Sequence, residues 1–151
     1  MDQVQTIITN IRTLYASQRT YSSISAEQAQ AMGILTEESI DGSQGLNPFG
    51  GKILFGATDS GRTFTVTYTG LTSEACVKMA TADWGADQSS GLRGIGVGTG
   101  DAAVAPNFGW KDETVDTYKP ADAAHYLPVQ VPQAASSCGT TQNGAVTWYY
   151  R

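Results

Sequence analysis

The chain has 151 residues, enough for one domain with a substantial core. Only 15% of them are charged, the net charge is −5, and the nine Lys and Arg are scattered, which argues against nucleic acid as a partner. No run of about 20 apolar residues is present, and the abundance of Gly, Ser, Thr and Ala suits an extracellular, β-rich surface domain.

Helical periodicity is already under way at Val4, and no signal peptide is visible, so the expectation is a chain truncated at its N-terminus. Val4, Ile7, Ile8, Ile11, Leu14 and Tyr15 form one stripe of an amphipathic helix that ends near Arg19. Its other face carries Gln3, Gln5, Thr6, Thr9, Asn10, Arg12 and Thr13. One apolar stripe needs one apolar partner, and a sheet face serves. Ser25 with Gln28 fits a capping box, predicting a short helix from Ala26 to Met32 that stops at Gly33. "TEESIDGSQGLNPFGG" reads as loop.

"KILFGATD" and "TFTVTYTGL" flank "DSGR" and predict a half-buried antiparallel hairpin, with Phe64, Val66 and Tyr68 alternating against threonines. "LTSEACVKMATADWG" reads as a helix with Thr72 or Ser73 as N-cap, Glu74 in its first turn, and Cys76, Met79 and Ala80 facing inward. "GLRGIGVGTG" is glycine-rich and reads as a loop or a bulged strand. From there to Gln133 the expectation is loops with short strands, "HYLPVQV" among them. "GAVTWYYR" is a last strand, with Trp148 in the core and Tyr149 and Tyr150 on opposite faces.

Two cysteines, Cys76 and Cys138, admit one intramolecular bridge or two separate buried thiols. A bridge closes a loop of about 62 residues, worth roughly 4 kcal/mol on the chain-entropy model. The enclosed stretch shows the least regular structure, and the surface composition is that of an oxidising compartment, so the bridge is favoured. A catalytic thiol lacks a base, because the single histidine, His125, has no recognisable partner.

In this order the elements resemble a type IV pilin, more closely one of the type IVb class. The resemblance rests on the stripe from Val4 to Tyr15, "LNPFGGKILFG", "FTVTYTGLTSEACVKMA" and "SSCGTTQNGAVTWYY". It implies an α+β fold, the pilin α/β roll: one globular head over residues 1–151, with the N-terminal helix packed on an antiparallel sheet. It also implies that Cys76 and Cys138 bound the variable D-region, and that residues 16–51 form the αβ-loop. In such filaments both regions lie at subunit edges. The family's mature chain carries about 25 further residues of very hydrophobic helix, which anchor the subunit in the inner membrane before assembly and bundle in the filament core. That segment, its leader peptide and its cleavage site are missing from this sequence.

The remaining motifs carry little chemistry. The alternating glycines 94, 96, 98 and 100 lack the lysine-serine of a phosphate loop. Asp112, Glu113 and Asp116, with Asp101 and Asp122 nearby, lack EF-hand spacing and read as a solvated acidic surface rather than a calcium site. Such a surface could face Lys78, Arg93 or Lys111 of a neighbouring subunit. Trp84 and Trp110 are divided between packing and exposed contact. No nucleophile elbow is present, and neither enzymatic activity nor a cofactor is expected. The function expected is that of a structural subunit whose heads join head to tail into an extracellular filament for adhesion and self-association. Its partners are other copies of itself, the pilus assembly machinery and a host-cell receptor, with the membrane engaged only through the missing helix. A pseudopilin of a type II secretion system or a minor pilin is the alternative within the superfamily. An extracellular ligand-binding module using the Gly91–Gln133 region is the alternative outside it.

Overall fold

The computed structural model describes residues 2–15, 40–41, 44–47, 49–58, 63–82, 92–109, 123–127, 129–140 and 142–150. Helix α1 (Asp2–Leu14) opens the chain. Val4, Ile7, Ile8, Ile11 and Tyr15 are buried as the 3.6-residue period requires. Leu14 departs from the expected stripe and is 43% exposed. The expected continuation of α1 to Arg19 and the expected helix from Ala26 to Met32 lie outside the described residues.

Among the described residues six antiparallel strands form one sheet in the order β1-β2-β3-β4-β6-β5. They are β1 (Ile40–Asp41), β2 (Gln44–Leu46), β3 (Lys52–Thr58), β4 (Thr63–Leu71), β5 (Leu92–Thr99) and β6 (Gly144–Tyr150). The predicted hairpin is β3–β4, with Ile53 opposite Tyr68 and Thr58 opposite Thr63. The C-terminal strand β6 inserts between β4 and β5, pairing Val66 with Trp148 on one side and Ile95 with Trp148 on the other. Ile53, Phe64, Val66, Tyr68, Trp148, Tyr150 and Ile95 join the α1 stripe in one buried cluster. Tyr68 meets Trp148 edge-on at 5.7 Å and Phe64 stacks on Tyr150 at 6.1 Å, geometries that aromatic pairs favour.

Three sequence expectations fail here for physical reasons. β4 is not half-buried: Thr63, Thr65, Thr67 and Thr69 are buried too. A threonine face tolerates this because its hydroxyls find partners, Thr67 and Thr147 sharing a bond of 2.8 Å across the β4–β6 pair. "TEESIDGSQGL" is not all loop, since β1 and β2 extend the sheet within it. "HYLPVQV" is not a strand. Ala123–His125 form one 3₁₀ turn, Tyr126 makes a single bridge to Gly109, and Val131 opens helix α3 (Val131–Cys138). Pro132 lies in the first turn of α3, where its missing N–H costs nothing.

The "NPFGG" turn into β3 is organised by one buried side chain. Asn47 Nδ2 donates to the carbonyls of Lys52 (3.0 Å) and Thr69 (2.9 Å). Its Oδ1 accepts from the amides of Phe49 (2.8 Å) and Gly51 (3.2 Å). Gly50 takes a φ of +86°, and a Cβ on Gly51 would stand 1.9 Å from the Thr69 carbonyl oxygen, so neither position accepts a larger residue without rearrangement.

Candidate functional site

The region bounded by the two cysteines is built onto the β6 side of the sheet. Helix α2 (Ser73–Thr81) is capped by Thr72, whose hydroxyl accepts from the Ala75 amide at 3.1 Å. Ala75, Cys76, Met79 and Ala80 form its buried face, as the sequence predicts. Cys138 stands at the end of α3, a helix where the sequence suggested loop. The two sulfurs are bonded at 2.04 Å with Cα atoms 5.9 Å apart, and both residues are fully buried. Gly144 makes room for this bridge: a Cβ there would lie 2.9 Å from Cys76 Cβ. Polar contacts reinforce the joint. Ser73 Oγ donates to the Gly139 carbonyl at 2.8 Å, and the Ser73 amide donates to Gln142 Oε1 at 3.3 Å. Gln142 holds a left-handed φ of 62° to do so.

Between the cysteines, residues 103–109 run over the sheet and then along β5. The Val104 amide donates to Thr147 Oγ1 at 2.9 Å, and the Tyr149 hydroxyl donates to the Val104 carbonyl. Burial pushes the Tyr149 hydroxyl's pKa upward, so it remains a donor. Two glycines of "GLRGIGVGTG", Gly96 and Gly98, lie under this crossing. β5 is a strand with a register shift between Leu92 and Gly94, matching the bulged-strand reading. A Cβ on Gly96 would come within 2.3 Å of the Val104 carbonyl oxygen.

An open groove of about 540 Å³ lies between the "NPFGG" turn and α2, lined by Phe49, Ala75, Met79 and Ala82, with Glu74 and Lys78 also on its wall. Phe49 is 45% exposed and Val131, at the start of α3, is 59% exposed. Glu74 and Lys78 pair at 2.8 Å on the solvent side, one helical turn apart. The hydrogen bond and charge of Lys78 hold the Glu74 carboxyl below its ordinary pKa.

Of the residues singled out from sequence, the structure brings Cys76 and Cys138 together. Trp84, Trp110, Asp112, Glu113 and Asp116 lie outside the described residues, as do Lys111 and Asp122. Asp101 is exposed, and Lys78, suggested as a contact to a neighbouring subunit, is engaged by Glu74. His125 packs its ring 5.1 Å from that of Phe108. Among the described residues no group of three or more His, Cys, Asp or Glu could hold a metal ion, and no helix is long and apolar enough to cross a membrane. Sequence reasoning missed the Phe49 groove, the role of Asn47, and Asn107, whose carboxamide accepts from the Val97 amide and donates to the Val97 carbonyl. "NPFGG" is a distinctive motif, whereas nothing in the sequence marks Asn107.

An N-terminal helix and an antiparallel sheet sharing one core, with two helices joined by a disulfide beside the last strand, define the class as a pilin head. The family model for bundlin matches residues 1–150, so the chain belongs to the bundlin family, the type IVb pilins. A solved structure that shares the fold is TcpA, a type IV pilin from Vibrio cholerae El Tor biotype. It aligns with a TM-score of 0.63 at 17% identity, covering 99% of this chain and 95% of that one. No curated protein matches the sequence. As a member of this family the chain is a pilin, a structural subunit of a surface filament.

Proposed function

We propose that this chain is the major subunit of a type IVb pilus, with heads joined head to tail so that one contact repeats without closing. The observation that carries the reading is the exposed apolar surface beside the disulfide-joined helices: the Phe49 groove and Val131. A monomeric head gains nothing from such surface in water, whereas a subunit contact buries it. Trp84, Trp110, Asp112, Glu113 and Asp116 belong to the same bounded region and are assigned to subunit contact or to the filament's outer face. The subunit is held in the inner membrane by a hydrophobic helix before the assembly machinery adds it to the filament. The finished filament serves adhesion, through a host-cell receptor, and self-association of bacteria.

Antibody against the head, applied to cells expressing the native gene and viewed by electron microscopy, tests this. Label along long thin surface filaments is the expected result. Label confined to the envelope or to filament tips makes the chain a pseudopilin or a minor pilin. Label only on secreted, unassembled protein removes the filament reading.

A further inference from the structure

Among the described residues β5 is the last strand of the sheet, and its outer edge should offer a row of unpaired peptide groups. At Ile95 and Val97 it does not. At Ile95, the amide donates to the Phe108 carbonyl (3.0 Å) and the carbonyl accepts from the Phe108 amide (3.0 Å). Two residues along, the partner is a side chain. The Val97 amide donates to Asn107 Oδ1 at 3.0 Å, and Asn107 Nδ2 donates to the Val97 carbonyl at 2.9 Å. The Asn107 carboxamide stands where the peptide group of a neighbouring strand would stand and satisfies the same donor and acceptor.

The edge so covered is a hazardous one. Ile95 and Val97 present apolar side chains to one sheet face and are fully buried. Gly94, Gly96 and Gly98 put no side chain on the other face. Glycine-rich strands specify register weakly, and flat apolar edges invite pairing with a further strand. An antiparallel pairing of β5 with β5 from a second copy is self-complementary at Val97, because a two-fold axis beside that residue sets its outward amide and carbonyl, the groups Asn107 covers, against the carbonyl and amide of Val97 in the second copy.

We infer that Asn107 closes the β5 edge against strand addition by a second copy of this chain. The 103–109 segment acts as a clasp: Val104 anchors it on the Thr147–Tyr149 face, and Asn107 seals the edge. This reading is independent of the filament contact, because it concerns a pairing that the folded head excludes.

The test uses the whole 151-residue chain with its disulfide intact. In the wild type, the Val97 amide should resist hydrogen exchange about as well as the Ile95 amide. In Asn107→Ala at low concentration, Val97 should exchange about tenfold faster. At higher concentration the variant should form dimers by sedimentation velocity, with Val97 protected again, while the wild type stays monomeric. Asn107→Asp should act in the same direction at neutral pH, since a carboxylate accepts from the Val97 amide and cannot donate to its carbonyl. Two results overturn the inference. One is a wild-type Val97 amide that exchanges like an open edge, a measurement that needs no variant. The other is a folded Asn107→Ala or Asn107→Asp chain with an exposed Val97 amide that stays monomeric wherever the wild type does.

Discussion

The centre of the sheet and its disulfide-bounded flank are stabilised in contrasting ways. β4 and β6 carry alternating large side chains that interlock with the α1 stripe, and Trp148 lies in the middle with no exposed surface. The stretch between the cysteines has fewer large apolar residues, and it is held by individual fittings. These are a covalent bridge, a carbonyl over Gly96, a carboxamide on Val97 and a hydroxyl on Gly139. The contrast teaches that area stabilises the centre while specific contacts stabilise the flank.

Substitutions in the two regions should differ in size and in where the damage spreads. Trp148→Ala should be the most damaging, costing about 3–5 kcal/mol and lowering the thermal midpoint by roughly 10 °C, read by urea and thermal denaturation. If it costs less than opening the disulfide, the centre is not the area-dominated region described. Replacing both cysteines with alanine should cost about 2–5 kcal/mol. Hydrogen exchange should show the loss concentrated in α2 and α3, with the β3–β4 hairpin still protected; uniform loss would dissolve the distinction. Gly96→Ala should cost about 1–3 kcal/mol by pushing Val104 off the sheet, visible as faster exchange of the Val104 amide. Glu74→Gln should leave the thermal midpoint unchanged. The Glu74 carboxyl has its pKa lowered in the folded state, so whatever the pair contributes is present above the unfolded value and is lost as pH falls through the folded one. The pair is fully solvated, and the acid limb of the stability curve should be the same in both proteins.

What could be read from sequence follows the same division. Periodic signals located α1, β3, β4, α2 and β6, because each buries one repeating face and the spacing records it. Thr72 and the inward set of α2 were legible for the same reason. Periodicity gave no access to β5, where Gly96 admits the backbone of Val104 and Ala105, partners outside the strand that no spacing records. α3 was hidden because "VPQAASSC" has one exposed valine and small residues in place of an apolar stripe. The hairpin was expected to show one wet face because threonine is ambiguous. The same residue suits solvent or a buried, hydrogen-bonded ladder, and only the segment crossing at Val104 decides between them. The cysteine pair was legible as a possibility, and its closure depends on two helices and Gly144 converging, which no spacing encodes.

The Asn47 turn has a consequence for chemical ageing. Asparagine side chains in long-lived proteins convert to aspartate when the next residue's backbone nitrogen attacks the carboxamide. Residue 48 is proline, whose nitrogen bears no hydrogen and cannot close that ring. A carboxylate at 47 would lose both bonds that Nδ2 donates to the Lys52 and Thr69 carbonyls. The turn that positions β3 is therefore guarded, by its own next residue, against the slow reaction most able to undo it.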